Sequence, residues 1–366
     1  MVRTRVLPPP DSQFHAINID AGGPALSPDG KQLVVAVRDS SGKSFLWLRA
    51  LDEAGEGRAL PGTEGGGDPF WSPDSQSIGF FAGGKLKRID VRGNSSQTLC
   101  DASRGRGGAW GADDVILFTP TATDPLYEIS ARGGAPKRFT ELNRNRLENS
   151  HRWPVFLPDG RRFLYFIRSY QAEASGIYSG SLDSQEKHMV IQTAYGPARL
   201  SGEHVLYMRG ESLVVQEFDD RKLLLKGEAI PLPDHVYLNP GTSNALLSVS
   251  RAGMLVYYPA TQSGGSELAW FDRTGKRGES IKRGYLYGPI LSPDGTHALL
   301  TEVRGDGLNA DQWNLDLVRG TKTRVTSGPG FKTAAAWEPD GRTAFTEFSG
   351  KGPSHIYRVN TDGGKL

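Results

Sequence analysis

Few side chains in this sequence stand at spacings that chemistry requires. The seven histidines, His15, His151, His188, His204, His235, His297 and His355, include no pair at a metal-ligand spacing. The acid pairs Asp113–Asp114 and Asp219–Asp220 sit in turn-like surroundings, and no alternating run of oxygen ligands closes on a glutamate as a calcium loop would. One cysteine, Cys100, allows neither an intrachain disulfide nor a multi-cysteine metal site. The nearest approach to a nucleophile elbow, "GTSNA" at 241–245, lacks the closing glycine. No cofactor and no metal is expected. The one acid that recurs is the aspartate of "ALSPDGK" (25–31), "FWSPDSQ" (70–76), "VFLPDGR" (155–161), "ILSPDGT" (290–296) and "AWEPDGR" (336–342).

A catalytic group is rarely written five times, so this aspartate is read through the elements around it. Degenerate copies at "AWGADD", "RLSGEH" and "SVSRAG" bring the total to about eight, at intervals between about 39 and 50 residues. Each copy joins two apolar runs of strand length, and two further runs follow before the next copy. Proline presets the turn, aspartate bonds the neighbouring backbone, and glycine takes the left-handed conformation where the hairpin resumes. With 46 glycines and 23 prolines in 366 residues, many short turns fit better than long helices. The reading is an all-β fold: a β-propeller of four-stranded antiparallel blades, eight in number with seven as the alternative. Residues 1–13 form a tail, and 14–366 form one propeller. Its blades lie near 24–60, 69–99, 108–140, 152–194, 196–232, 243–281, 288–326 and 334–366, with 14–19 as a closing strand. A piece of a longer chain is the alternative organisation.

The "SPDG" pattern with third strands such as "LWLRALD" resembles the TolB-like, WD-type propeller repeats of bacteria. "LPGTEGGGDPFWSPDSQSIGFFAGGKLKRID" and "SHRWPVFLPDGRRFLYF" resemble the C-terminal propeller of acidobacterial serine/threonine protein kinases. That resemblance implies an accessory sensing or docking module and an extracytoplasmic, periplasmic location. Kinase activity is not carried over, because glycine-rich-loop, "HRD" and "DFG" signatures are missing from these residues. The sequence shows no apolar run of signal-peptide or membrane-spanning length, and its net charge of +2 gives no general pull towards nucleic acid.

The loops between blades should converge on one face. Those at 62–68, 101–108 and 141–151 would gather Arg104, Arg106, Arg144, Arg146, His151 and Arg152 in one sector, with Glu148 and Asp68 beside them. Guanidinium forks suit a carboxylate, a phosphate or an acidic peptide. The expected function is a non-catalytic module binding a protein, a peptide or a small anionic ligand. A channel-face hydrolase or lactonase built on Glu64, Asp68, Asp101, Glu141 and Glu148, or the accessory propeller of a peptidase, is the alternative.

Overall fold

In the computed structural model the described residues are 4–15, 22–51, 57–239, 241–260, 266–284, 286–303, 309–328, 330–339, 342–348 and 355–361. The chain divides into two compact units, Met1–Pro259 and Ala260–Leu366. Both are built from short antiparallel strands.

The recurrent aspartate is a turn residue wherever its surroundings are described. Ser27 Oγ donates to Asp29 Oδ1 (2.5 Å) and accepts from Gln32 N (2.9 Å), while Asp29 Oδ1 also accepts from Lys31 N (3.0 Å). Ser72–Asp74 and Ser292–Asp294 repeat the arrangement, at 2.5 and 2.6 Å. Gly30, Gly160 and Gly295 take the left-handed conformation at the last turn position, and Ser75 adopts it too, at φ 61°.

Each turn in the first unit joins an inner strand to the next strand outwards. Blade 2 comprises Gly67–Trp71, Ser77–Ala82, Lys85–Asp90 and Gln97–Asp101. Blade 3 comprises Gly108–Trp110, Val115–Phe118, Tyr127–Ser130 and Lys137–Arg138. Blade 4 holds Glu148–Phe156, Arg162–Ser169, Gly176–Ser181 and Ser184–Gln192; blade 5 holds Arg199–Ser201, His204–Arg209, Ser212–Asp219 and Leu224–Pro231. Blade 1 runs from Ala25–Leu26 through Gln32–Asp39 and Ser44–Ala50 to Arg58–Ala59. In blade 6, Leu247–Val249 pairs with Leu255–Tyr257.

The core lies in the seams between these sheets. Val34, Leu46, Trp71, Ile78 and Phe80 fill the seam of blades 1 and 2, and Trp71 Nε1 donates across it to Ala25 O (3.0 Å). Phe70 lies so close to Gly79 that a Cβ there would stand 2.2 Å from its Cζ. Further seams join blades 3 to 4 (Ala112 N to Gly160 O, 3.2 Å), 4 to 5 (Arg162 Nη1 to Asp220 O, 2.7 Å) and 5 to 6 (Arg199 Nε to Leu247 O, 3.2 Å). The last closes the circle: Leu26 N of blade 1 donates to Ser248 Oγ of blade 6 (3.0 Å).

The repeat count predicts one ring of eight or seven, whereas the structure closes the first six inner strands on one another. The first unit is thus complete as a ring without an edge to cover. The expected closing strand at 14–19 lies largely outside the described residues; Ser12–Phe14 pairs with Val37–Asp39 in blade 1.

The second unit carries the same grammar. Ser266–Phe271 pairs with Arg277–Gly284, and Leu286–Leu291, His297–Val303, Ala310–Asp316 and Lys322–Arg324 form a four-stranded set. Phe331–Trp337, Arg342–Phe348 and His355–Asn360 follow. Trp337 Nε1 donates to Ile290 O (2.9 Å), repeating the Trp71–Ala25 bond of the first unit.

Candidate functional site

The six inner strands surround a cavity of about 380 Å³ along the axis of the first unit. Phe70, Trp71, Trp110, Trp153, Phe156 and Val249 supply apolar wall, and Asp68, Arg199 and Arg251 supply charge. That volume and that mixture of lining suit a small organic molecule.

Arg199 is the unusual residue. Two positions before the turn, the other inner strands carry Ala25, Phe70, Ala109, Val155 and Ser248. Its guanidinium is encircled by the ring, and desolvation draws its pKa down to about 10 while Asp68 opposes the fall. It therefore remains charged at neutral pH. Its Nε is committed to Leu247 O, which orients the fork. Among the described residues, no hydrogen bond is recorded for its terminal nitrogens. Arg199 is half-buried on the cavity wall, and a charge-assisted hydrogen bond holds an oxyanion more strongly than a neutral one.

Asp68 and Trp153 occupy matching places in blades 2 and 4. Each precedes a proline at a bulge, where the strand register shifts between Gly67 and Phe70 and between Arg152 and Val155. Both bulge residues take positive φ, 47° at Asp68 and 54° at Trp153, and Gly107, just before the inner strand of blade 3, takes 84°. A tryptophan in this region costs about 1–3 kcal/mol and needs its surroundings to hold it there. Here its ring lies over Gly107 and its Cδ1 edge faces Gly196, where added Cβ atoms would approach to 2.4 and 3.1 Å. Trp153 is 6% exposed, and its Nε1 has no hydrogen-bond partner among the described residues. Asp68 Oδ1 packs on blade 1, 2.2 Å from where Gly22 would carry a Cβ.

No protein-family model matches the chain. Among solved structures it is similar to TolB from Acinetobacter baumannii, at 16% identity and a TM-score of 0.48 over 58% of this chain and 54% of that one. It thus spans about half the length of that protein. A TolB candidate from Agrobacterium tumefaciens is similar at 18% identity and TM-score 0.47, over 65% of this chain and 90% of that one. The β-propeller domain of the Trilobed protease from Pyrococcus furiosus is similar at 9% identity and TM-score 0.36, over 93% and 92%. These likenesses concern the fold alone. The closed circle of radiating antiparallel sheets decides the architecture. The fold is a β-propeller.

The propeller distributes the arginine sector expected from the loops, with its acids and histidine, among four environments. Asp68 reaches the axial cavity. Arg104 is exposed, and Arg144 and Arg146 lie in a short 3-10 turn capped by Asn143, whose Oδ1 accepts from Asn145 N and Arg146 N. Glu148 and His151 are buried in a network of their own. His151 Nε2 lies 3.1 Å from Glu148 Oε2, and Lys187 Nζ donates to the same oxygen at 2.7 Å. With Glu148 ionised, Nε2 carries the proton, and Nδ1 accepts from Thr140 Oγ1 at 2.7 Å. Burial would raise the Glu148 pKa, but the bonds from His151, Asn143 N and Lys187 prevail and hold it at about 2. Burial also lowers that of His151, against the pull of Glu148.

Arg106 and Arg152 turn inwards, at 4% and 2% exposed. Sequence reasoning missed Arg199, whose signal was a charged residue at a position that is apolar or small in the aligned copies. It also missed Arg168, hidden inside an otherwise ordinary strand, "RFLYFIRS".

Proposed function

We propose that the chain is a binding or sensing propeller whose axial cavity takes a small organic anion, a carboxylate in the first instance. The observation that carries this is Arg199: a charged guanidinium enclosed by the ring, fixed through Nε, and facing a cavity walled by aromatic rings. Aromatic walls select for an apolar or planar body, and the fork selects for two acceptor oxygens. The resemblance to kinase-linked propellers fits a module that passes its bound state to a partner protein.

Calorimetric titration of mono- and dicarboxylates, with phosphate esters as the comparison set, tests the reading. At least one carboxylate should saturate the wild-type protein. Arg199→Gln should weaken it about 10- to 100-fold, as expected when a charge-assisted hydrogen-bond pair worth about 1.5–3 kcal/mol is lost. Arg199→Lys should lie between. Equal affinity in wild type and Arg199→Gln would remove the site.

A further inference from the structure

A second cationic centre lies at the end of blade 4 nearest the inter-blade loops, apart from the residues that line the axial cavity. Arg152 is fully enclosed, and each of its nitrogens makes one bond. Nε donates to Ser150 Oγ (2.5 Å), Nη1 to Thr242 O (2.8 Å) and Nη2 to Ala122 O (2.6 Å). A guanidinium carries five N–H groups, so two remain on the terminal nitrogens. Among the described residues, the cations that act on it are Arg168 and Arg106, of the same sign. Ser150 pairs with Arg168 across the strands and Arg152 with Phe166, so Arg168 and Arg152 flank Ser150 on one face of the sheet. Arg106 approaches from blade 3, where its carbonyl accepts from Trp153 N (3.1 Å).

Among the described residues no carboxylate lies within ion-pair distance of Arg152. Burial depresses its pKa well below the ordinary value, and Arg168 and Arg106 push in the same direction. Arginine does not discharge by losing its proton, and a buried charge unmatched by an opposite one is costly. Two carbonyls and a hydroxyl supply dipoles but no negative charge.

We infer that this centre holds a small inorganic anion, bound by the remaining N–H groups of Arg152 on the side that Arg168 and Arg106 flank. The Thr242 and Ala122 carbonyls each take one N–H, and the anion would take the N–H that each terminal nitrogen keeps. The burial of Arg152 favours chloride or a single tetrahedral oxyanion over an organic acid.

Thermal unfolding of the full chain in low-anion buffer, with chloride, sulfate and phosphate titrated separately at constant ionic strength, tests the inference. The wild-type Tm should rise saturably with at least one anion, as linkage requires. Response to chloride alone identifies a monatomic site, and response to phosphate or sulfate at lower concentration identifies an oxyanion site. Arg168→Gln should raise the apparent Kd about tenfold, and Arg152→Met should abolish the dependence. Bromide-soaked crystals should show an anomalous peak beside the Arg152 guanidinium. Should Arg152→Met fail to fold, the Arg168→Gln titration and the bromide peak decide. The same anion response in wild type and Arg168→Gln, with no peak at Arg152, would overturn it. Neither outcome depends on whether the axial cavity binds a carboxylate.

Discussion

At the scale of single residues, His151 and Glu148 of the expected site are committed to one another. His151 is held neutral by burial, so the unfolded chain, with its imidazole near the ordinary value of 6.5, binds a proton that the folded chain resists. Stability is therefore present above pH 6.5 and is lost as pH falls below it. Glu148 adds a second loss lower down, from the ordinary value near 4.5 towards about 2. Chemical denaturation between pH 7.5 and 5 should show falling stability in the wild type and a flatter profile in His151→Gln. A parallel profile in the two proteins would contradict the network. Aspartate 74 is a residue of the other kind, a frequent motif with a local task. Asp74→Ala removes the acceptor of Ser72 Oγ and Gln76 N and should cost about 1 kcal/mol in urea unfolding while leaving carboxylate affinity unchanged. A change in affinity would return this aspartate to the list of site residues.

At the scale of elements, strands and turns were legible because their causes are local. The proline–aspartate–glycine turn bonds within five residues, and alternating apolar residues mark the strands it joins. Trp71 and Trp337 precede their turns at the same offset and donate across a seam to the preceding repeat. The bulges were not legible. A bulge inserts one residue and reverses the alternation after it, so the loop arginines could not be assigned to a face from spacing alone. That is why Arg152, placed on the loop face by sequence, is buried midway along a nine-residue strand, Glu148–Phe156. Packing at the seams explains the internal glycines. Gly79→Val would drive a side chain into the Phe70 ring and should destabilise the fold by about 1–3 kcal/mol, read as a lower Tm. A neutral result would mean that the seam of blades 2 and 3 is looser than the contacts with Phe70 indicate.

At the scale of the whole molecule, period and number separate. A repeat near 44 residues announces blades, but the same period serves rings of six, seven or eight, because closure rests on contacts between remote copies. Here the deciding bond, Leu26 N to Ser248 Oγ, spans 222 residues. The axial cavity is legible only after closure, since its lining comes from all six inner strands. Closure at six and a ligand site inside that ring make one claim, and a fragment of residues 1–259 tests it. The fragment should unfold cooperatively and bind the carboxylate recognised by the full chain with a Kd within about threefold, and Arg199→Gln should weaken that binding by the same ~10- to 100-fold as in the full chain. A fragment that aggregates or melts without cooperativity, or that folds yet fails to bind a carboxylate the full chain binds, would contradict it.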